Sequence, residues 1–246
     1  MKTIINFIIT LLFVIPTIGN AQLCIIYDKD GATNVREEAS IRSKVIGKLF
    51  EGQVFAISSY IEAEVNQSKE WIAVNFPLEK NAKEKKFLKF DGEEKVGFVH
   101  KSRLVELDEL PVFERIKEQK NKAIHAFNEV QITIETQTFN DANHKIVRDK
   151  YGSYLIDGEV AYTYSEGTNI EIKSISMQSK NETFVIPNTA FKNLFMVDAS
   201  RTEVYIGKKN EYYIVFSAAD GSQSYNIIYC LKDNQLFSMT VTSVIP

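Results

Sequence analysis

Gly31-Ala32-Thr33-Asn34-Val35-Arg36 is the stretch from which the first part of this 246-residue chain can be read. It follows Asp28-Lys29-Asp30, a turn cluster that closes the apolar run Leu23 to Tyr27. Such clusters punctuate strands, and glycine supplies the backbone freedom that a tight turn needs. Asn34 has the short amide that closes turns by bonding nearby backbone. Working outward, Val45 to Phe50 reads as a second strand ended by Glu51-Gly52, and Val54 to Ile61 as a third. Trp71 to Phe76 and Val96 to His100 are the fourth and fifth. Val35, Val45, Ile46, Leu49, Val54, Ile72 and Val74 provide aliphatic filling, and Gly31, Gly47, Gly52 and Gly97 fall at turns or bends. So many short strands leave exposed edges unless they close on themselves, so a small closed barrel is expected.

The same pieces resemble the bacterial SH3 (SH3b) family. After Gly31 to Arg36 come Ser40, then Val45-Ile46-Gly47-Lys48-Leu49 and Glu51-Gly52-Gln53-Val54. Trp71-Ile72-Ala73-Val74 follows, and then Gly97-Phe98-Val99-His100 with Leu104, in the family's order over about residues 24–107. The resemblance implies a binding module, often for peptidoglycan or its peptide stems. Aromatic walls suit such ligands, and Tyr27, Tyr60, Trp71 and Phe98 are the candidate wall residues. Each also has a core reading, since Trp71 and Phe98 lie in strands with apolar alternates. Arg36 reads as a structural residue rather than a ligand contact. One departure from the family is the charged stretch Glu79 to Lys95, longer than the usual hairpin loop. Its alternating signs predict a solvated hairpin extension turning at Asp91-Gly92.

Leu110-Pro111 marks a boundary. Proline suits a first helical turn, and Phe113, Ile116, Ala123, Ile124 and Phe127 approximate one helical face. Period two returns at Val130-Ile132-Ile134. Further strands are expected at Glu159–Tyr164, Ile170–Met177, Val204–Ile206, Tyr212–Phe216, Ser224–Leu231 and Leu236–Val244. Lys232-Asp233-Asn234-Gln235 makes the last two a hairpin. The strand at Tyr225 to Leu231 is apolar on both faces and should lie centrally. Ala190 to Phe195 suggests one short helix capped by Asn188. This half resembles, faintly, an uncharacterised exported β-domain through Pro187 to Phe191 and Asp220-Gly221-Ser222-Gln223-Ser224-Tyr225, a likeness that brings no activity with it. The Asp220 turn reads as a plain hairpin loop, with cation binding as the alternative. The expected fold is therefore mainly β. An SH3-like small barrel occupies residues 22–109, and a helix, linker or start of a second domain follows at 110–128. A β-rich, sandwich-like domain fills 129–246.

The first residues read as a signal peptide over 1–21. Lys2 precedes an apolar run from Ile4 to Ile18, and Gly19-Asn20-Ala21 offers small residues for cleavage ahead of Gln22. The run is shorter than the roughly 20 residues that span a bilayer, and no later segment is long and apolar enough to do so. The protein is therefore expected in the periplasm or outside the cell. Formal charge moves from −3 to 28 − 32 = −4 when Lys2 is removed, which leaves no basic footprint for nucleic acid. The two cysteines, Cys24 and Cys230, are either a disulfide in an oxidising compartment or small buried thiols.

Catalytic patterns are missing from the sequence. Neither cysteine precedes a helix as a thiolate nucleophile would. His100, His125 and His144 show no paired metal-ligand spacing, and there is no Gly-x-Ser-x-Gly elbow or phosphate loop. The expectation is an exported, non-catalytic protein without cofactor or metal that binds peptidoglycan or an envelope peptide. The alternative is a protein-interaction or inhibitor factor of the envelope. A wall hydrolase comes third.

Overall fold

The computed structural model describes residues 22–58, 69–80, 87–180, 182–208 and 210–243. The segment read as a signal peptide and Tyr60 lie outside the described residues, as does the end of the expected Val54–Ile61 strand. Strands dominate, and the helical segments among the described residues are three-residue 3-10 turns. No described helix is long and apolar enough to cross a membrane.

The first eight strands are β1 (Leu23–Ile26), β2 (Ala32–Arg36), β3 (Val45–Phe50), β4 (Phe55–Ile57), β5 (Trp71–Pro77), β6 (Leu88–Phe90), β7 (Glu94–His100) and β8 (Leu104–Glu106). All but β6 form one sheet in the order β3-β2-β7-β5-β4-β1-β8. It curls into a half-barrel whose order ends at β3 and β8, so it is not a closed ring. Cys24, Val35, Leu49, Phe55, Val74, Phe76 and Val99 fill its concave side. Gly97 is needed there, because a Cβ on it would stand 2.4 Å from a methyl of Val35. Asn34, expected to close a turn, instead lies exposed in β2 opposite Lys48.

The expected helix at 110–128 is a hairpin. β9 (Glu114–Gln119) pairs antiparallel with β10 (Lys122–Phe127) across a turn at Lys120-Asn121. The supposed apolar face is split, with Phe113 and Ala123 buried but Ile116 52% exposed and Phe127 39%. Ala123 and His125 alternate inward instead, and neighbouring strands supply the pairing that decides between two weak local preferences. β11 (Val130–Thr138) continues the sheet. The small group β12 (Ile146–Arg148), β13 (Tyr154–Ile156) and β14 (Glu159–Val160) follows, then β15 (Ile170–Ser179) and β16 (Glu182–Val185). The five-stranded order is β16-β15-β11-β10-β9. Beyond Val160 the expected strand is reduced to an isolated bridge between Tyr162 and Leu194. The expected helix after Pro187 is one 3-10 turn, Asn188–Ala190, in which the cap position is Pro187 and no side chain caps.

The last strands are β17 (Thr202–Ile206), β18 (Glu211–Ala218), β19 (Tyr225–Lys232) and β20 (Gln235–Ser243). The β19–β20 turn has Asp233 and Asn234 both at positive φ, 49° and 58°, as a two-residue hairpin of this hand requires. The sheet order β17-β18-β19-β20-β6 puts β19 in the middle, as its two apolar faces require. One face, with Ile214, Phe216, Ile227 and Tyr229, packs on Ile132, Ile134, Ile175 and Met177 of the five-stranded sheet. The other, with Tyr213, Val215, Ile228 and Cys230, packs on Ile25, Val54 and Leu107. The terminal sheet is thus a middle layer covered on both sides.

β6 comes from the charged stretch and corrects the expectation of a solvated hairpin. Leu88–Phe90 adds to the edge of the middle sheet as the parallel neighbour of β20. Phe90 is 1% exposed, and buried Asp91 takes Lys89 at 2.9 Å and Lys80 at 3.4 Å. The disulfide considered for Cys24 and Cys230 is not formed. Both are free, buried thiols, Cys24 inside the half-barrel and Cys230 between it and the middle sheet.

A groove on the half-barrel

The turn after β1 builds one bank of a groove. Gly31, at φ 71°, donates its N–H to the Asp28 carbonyl at 3.1 Å, and the Asp30 N–H reaches the Asp28 carboxylate at 3.2 Å. Arg103 closes the same turn from the other side, 3.1 Å from that carboxylate. The loop after β2 forms the facing bank. There Arg36 donates to the Ser43 carbonyl at 2.6 Å, and the Glu38 N–H donates to the Ser43 hydroxyl at 2.9 Å. Arg36 is therefore a structural latch, as its place in the sequence suggested, while also lining the groove.

Between the banks the pairing of β5 with β7 sets Trp71 opposite His100. The two rings meet edge to face with centroids 5.4 Å apart, a favoured geometry for aromatic pairs. The His100 Nδ1 accepts from the Ser102 N–H at 3.3 Å and lies 2.8 Å from the Ser102 hydroxyl, which assigns the ring proton to Nε2. The resulting cleft has a volume of about 790 Å3. Asp28, Asp30 and Glu70 bring negative charge to it, and Arg36, Lys48 and Arg103 bring positive charge.

The four candidate wall residues separate. Trp71 lines the groove, and Tyr60 is outside the described residues. Phe98 is half-buried opposite Ala73 and Arg36 but is not part of the groove wall. Tyr27 packs at the seam with the middle sheet, its ring 3.8 Å from the Lys208 ammonium. Its hydroxyl has no partner among the described residues, and burial, then the charge of Glu211, pushes its ionisation up. His100 and the charged rim escaped the sequence reading. One signal for His100 was its register: the Gly97-Phe98-Val99-His100 strand alternates, placing Phe98 and His100 on the face opposite Val99.

Elsewhere, burial and nearby carboxylates push the Cys24 thiol up, and burial followed by the charge of Glu211 does the same for Cys230, so neither supplies a thiolate. His125 is buried with Nε2 3.0 Å from the Thr202 hydroxyl. That hydroxyl donates to the Ala199 carbonyl at 2.7 Å, so the Nε2–H donates to Thr202. Asp220 pairs with Arg201 at 2.8 Å in an exposed loop, and the described residues hold no group of three or more potential metal ligands. Compared with known proteins, the chain matches no family model, no curated protein and no solved structure.

Proposed function

We propose that the protein is an exported, non-catalytic binding protein whose half-barrel is an SH3b-like module. It recognises peptidoglycan through its peptide stems, or another peptide of the cell envelope. The observation that carries this reading is the groove itself. An aromatic pair, Trp71 and His100, stands between carboxylates and cations on a rigid strand scaffold. A peptide offers amide faces to stack on the rings and both charge signs to match the rim, whereas a bare glycan offers no charge for Arg36, Lys48 and Arg103. Export is supported by the Lys2-to-Ala21 sequence pattern.

Retention of the full chain on purified peptidoglycan tests this. The wild type should sediment with the polymer, and the rim variant Asp30→Lys/Lys48→Glu should stay in the supernatant while keeping its melting temperature. Recovery of both in the supernatant, with one stoichiometric envelope protein co-purifying instead, would move the reading to a protein-interaction factor. Release of soluble wall fragments would make the protein a hydrolase.

A further inference from the structure

At another place, where the half-barrel meets the middle sheet, lies a second open cleft of about 390 Å3. It shares no lining residue with the groove. Leu23, Leu107 and Val215 form its apolar side, while Asp108, Glu203 and Asn226 contribute polar groups. None of the described lysines, arginines or histidines lines it.

Two observations point to a ligand of one kind. Asn226 is 5% exposed, lines the cleft, and its side chain has no hydrogen-bond partner among the described residues. It sits in β19 between Ser217 and Thr242 of the flanking strands. That amide has no described protein group to bond at the cleft wall, and a bound group would supply one. Independently, the local field is negative. The Tyr205 hydroxyl donates to Glu203, and its ionisation is pushed up first by burial, then by that bond and the charges of Glu203 and Asp108. Glu106 and Glu109 flank Asp108 in the chain. Acceptors that converge beside aliphatic walls fit a donor-rich cation carried on a methylene stem.

We propose that this cleft binds an alkylammonium or alkylguanidinium group, the chemistry of a lysine or arginine side chain presented by a protein partner. The stem lies along Leu23, Leu107 and Val215. The charged head sits between Asp108 and Glu203, and the Asn226 carbonyl oxygen accepts one of its protons.

Calorimetric titration of the full chain tests the assignment with three probes: n-butylguanidinium, its neutral analogue n-butylurea, and N-acetylarginine methylamide. Both cations should bind, the amide at least as tightly as n-butylguanidinium, and n-butylurea should not. Raised salt should weaken binding, since the carboxylates are open to solvent. Asp108→Asn/Glu203→Gln should lose at least about tenfold in affinity with an unchanged melting temperature, because both side chains are exposed. Asn226→Leu, which keeps the carboxylates, should also weaken both cations. Equal binding of n-butylurea, an unaffected double variant, or calcium binding in place of the organic cations would overturn the proposal. So would rejection of N-acetylarginine methylamide while n-butylguanidinium binds, because the partner's side chain would then not fit.

Discussion

Phe237 of β20 occupies the space that a side chain on Gly52 would need: a Cβ there would stand 2.6 Å from the Phe237 ring. Gly52 also has φ +80°, and its carbonyl accepts from the Ser238 hydroxyl at 2.5 Å. The turn before β4 and the last strand are therefore fitted to each other across the seam between two layers. Gly52→Ala should cost roughly 2–4 kcal/mol, joining left-handed backbone strain to overpacking. Denaturant unfolding of the variant would show a lowered midpoint. An unchanged midpoint would mean that the layers do not meet at this point.

His125 makes stability depend on pH. Burial, then the charge of Arg115, lowers its ionisation from 6.5 to about 4 in the folded chain. A group whose folded pKa is depressed leaves more protons on the unfolded chain, so its contribution is whole above pH 6.5 and is lost as pH falls toward 4. The loss reaches at most about 3 kcal/mol, taking 1.36 kcal/mol per pKa unit. Unfolding free energies measured between pH 7 and 4 should fall more steeply for the wild type than for His125→Gln. Parallel curves would show that the imidazole is not held neutral.

Trp71 is the one tryptophan in the chain and is 9% exposed at the groove. Its emission should be blue-shifted in the native protein and poorly quenched by iodide. Stem peptides that enter the groove should change its intensity in a saturable way. A peptide retained by the protein without any change in emission would place its site elsewhere.

Cys24 and Cys230 are both free and buried. The native protein should resist a thiol-reactive dye over minutes, and denaturant should expose two reactive thiols per chain. Unreactive protein in denaturant without reductant would reveal a bridge.

Phe90 ties the charged stretch to the middle sheet, stacking on Phe50 with ring centroids 6.3 Å apart and 1% exposed. Phe90→Ala should destabilise by about 3–5 kcal/mol, the usual loss for a buried phenylalanine. A surface-like change below about 0.5 kcal/mol would return the stretch to solvent.

The chain's own order of residues determined what local physics can determine. Alternation at Val130-Ile132-Ile134 set a strand, Asp233-Asn234 set a hairpin, and the doubly apolar Tyr225 to Leu231 set a central position, because each depends on neighbours within a few residues. Trp71 came from the family resemblance, as one of four candidate wall residues with a core reading beside it. The rest was decided by contacts between distant segments. Ile116 and Phe127 mimicked a helical face, yet pairing of β10 with β9 and β11 made them strand residues. Leu88 to Phe90 looked like a solvated arm until β20 supplied a parallel edge, with Ser238 opposite Leu88. Such pairings carry no local signature, since backbone hydrogen bonds are indifferent to side-chain identity. Only burial of both faces of the middle sheet selects which segments meet.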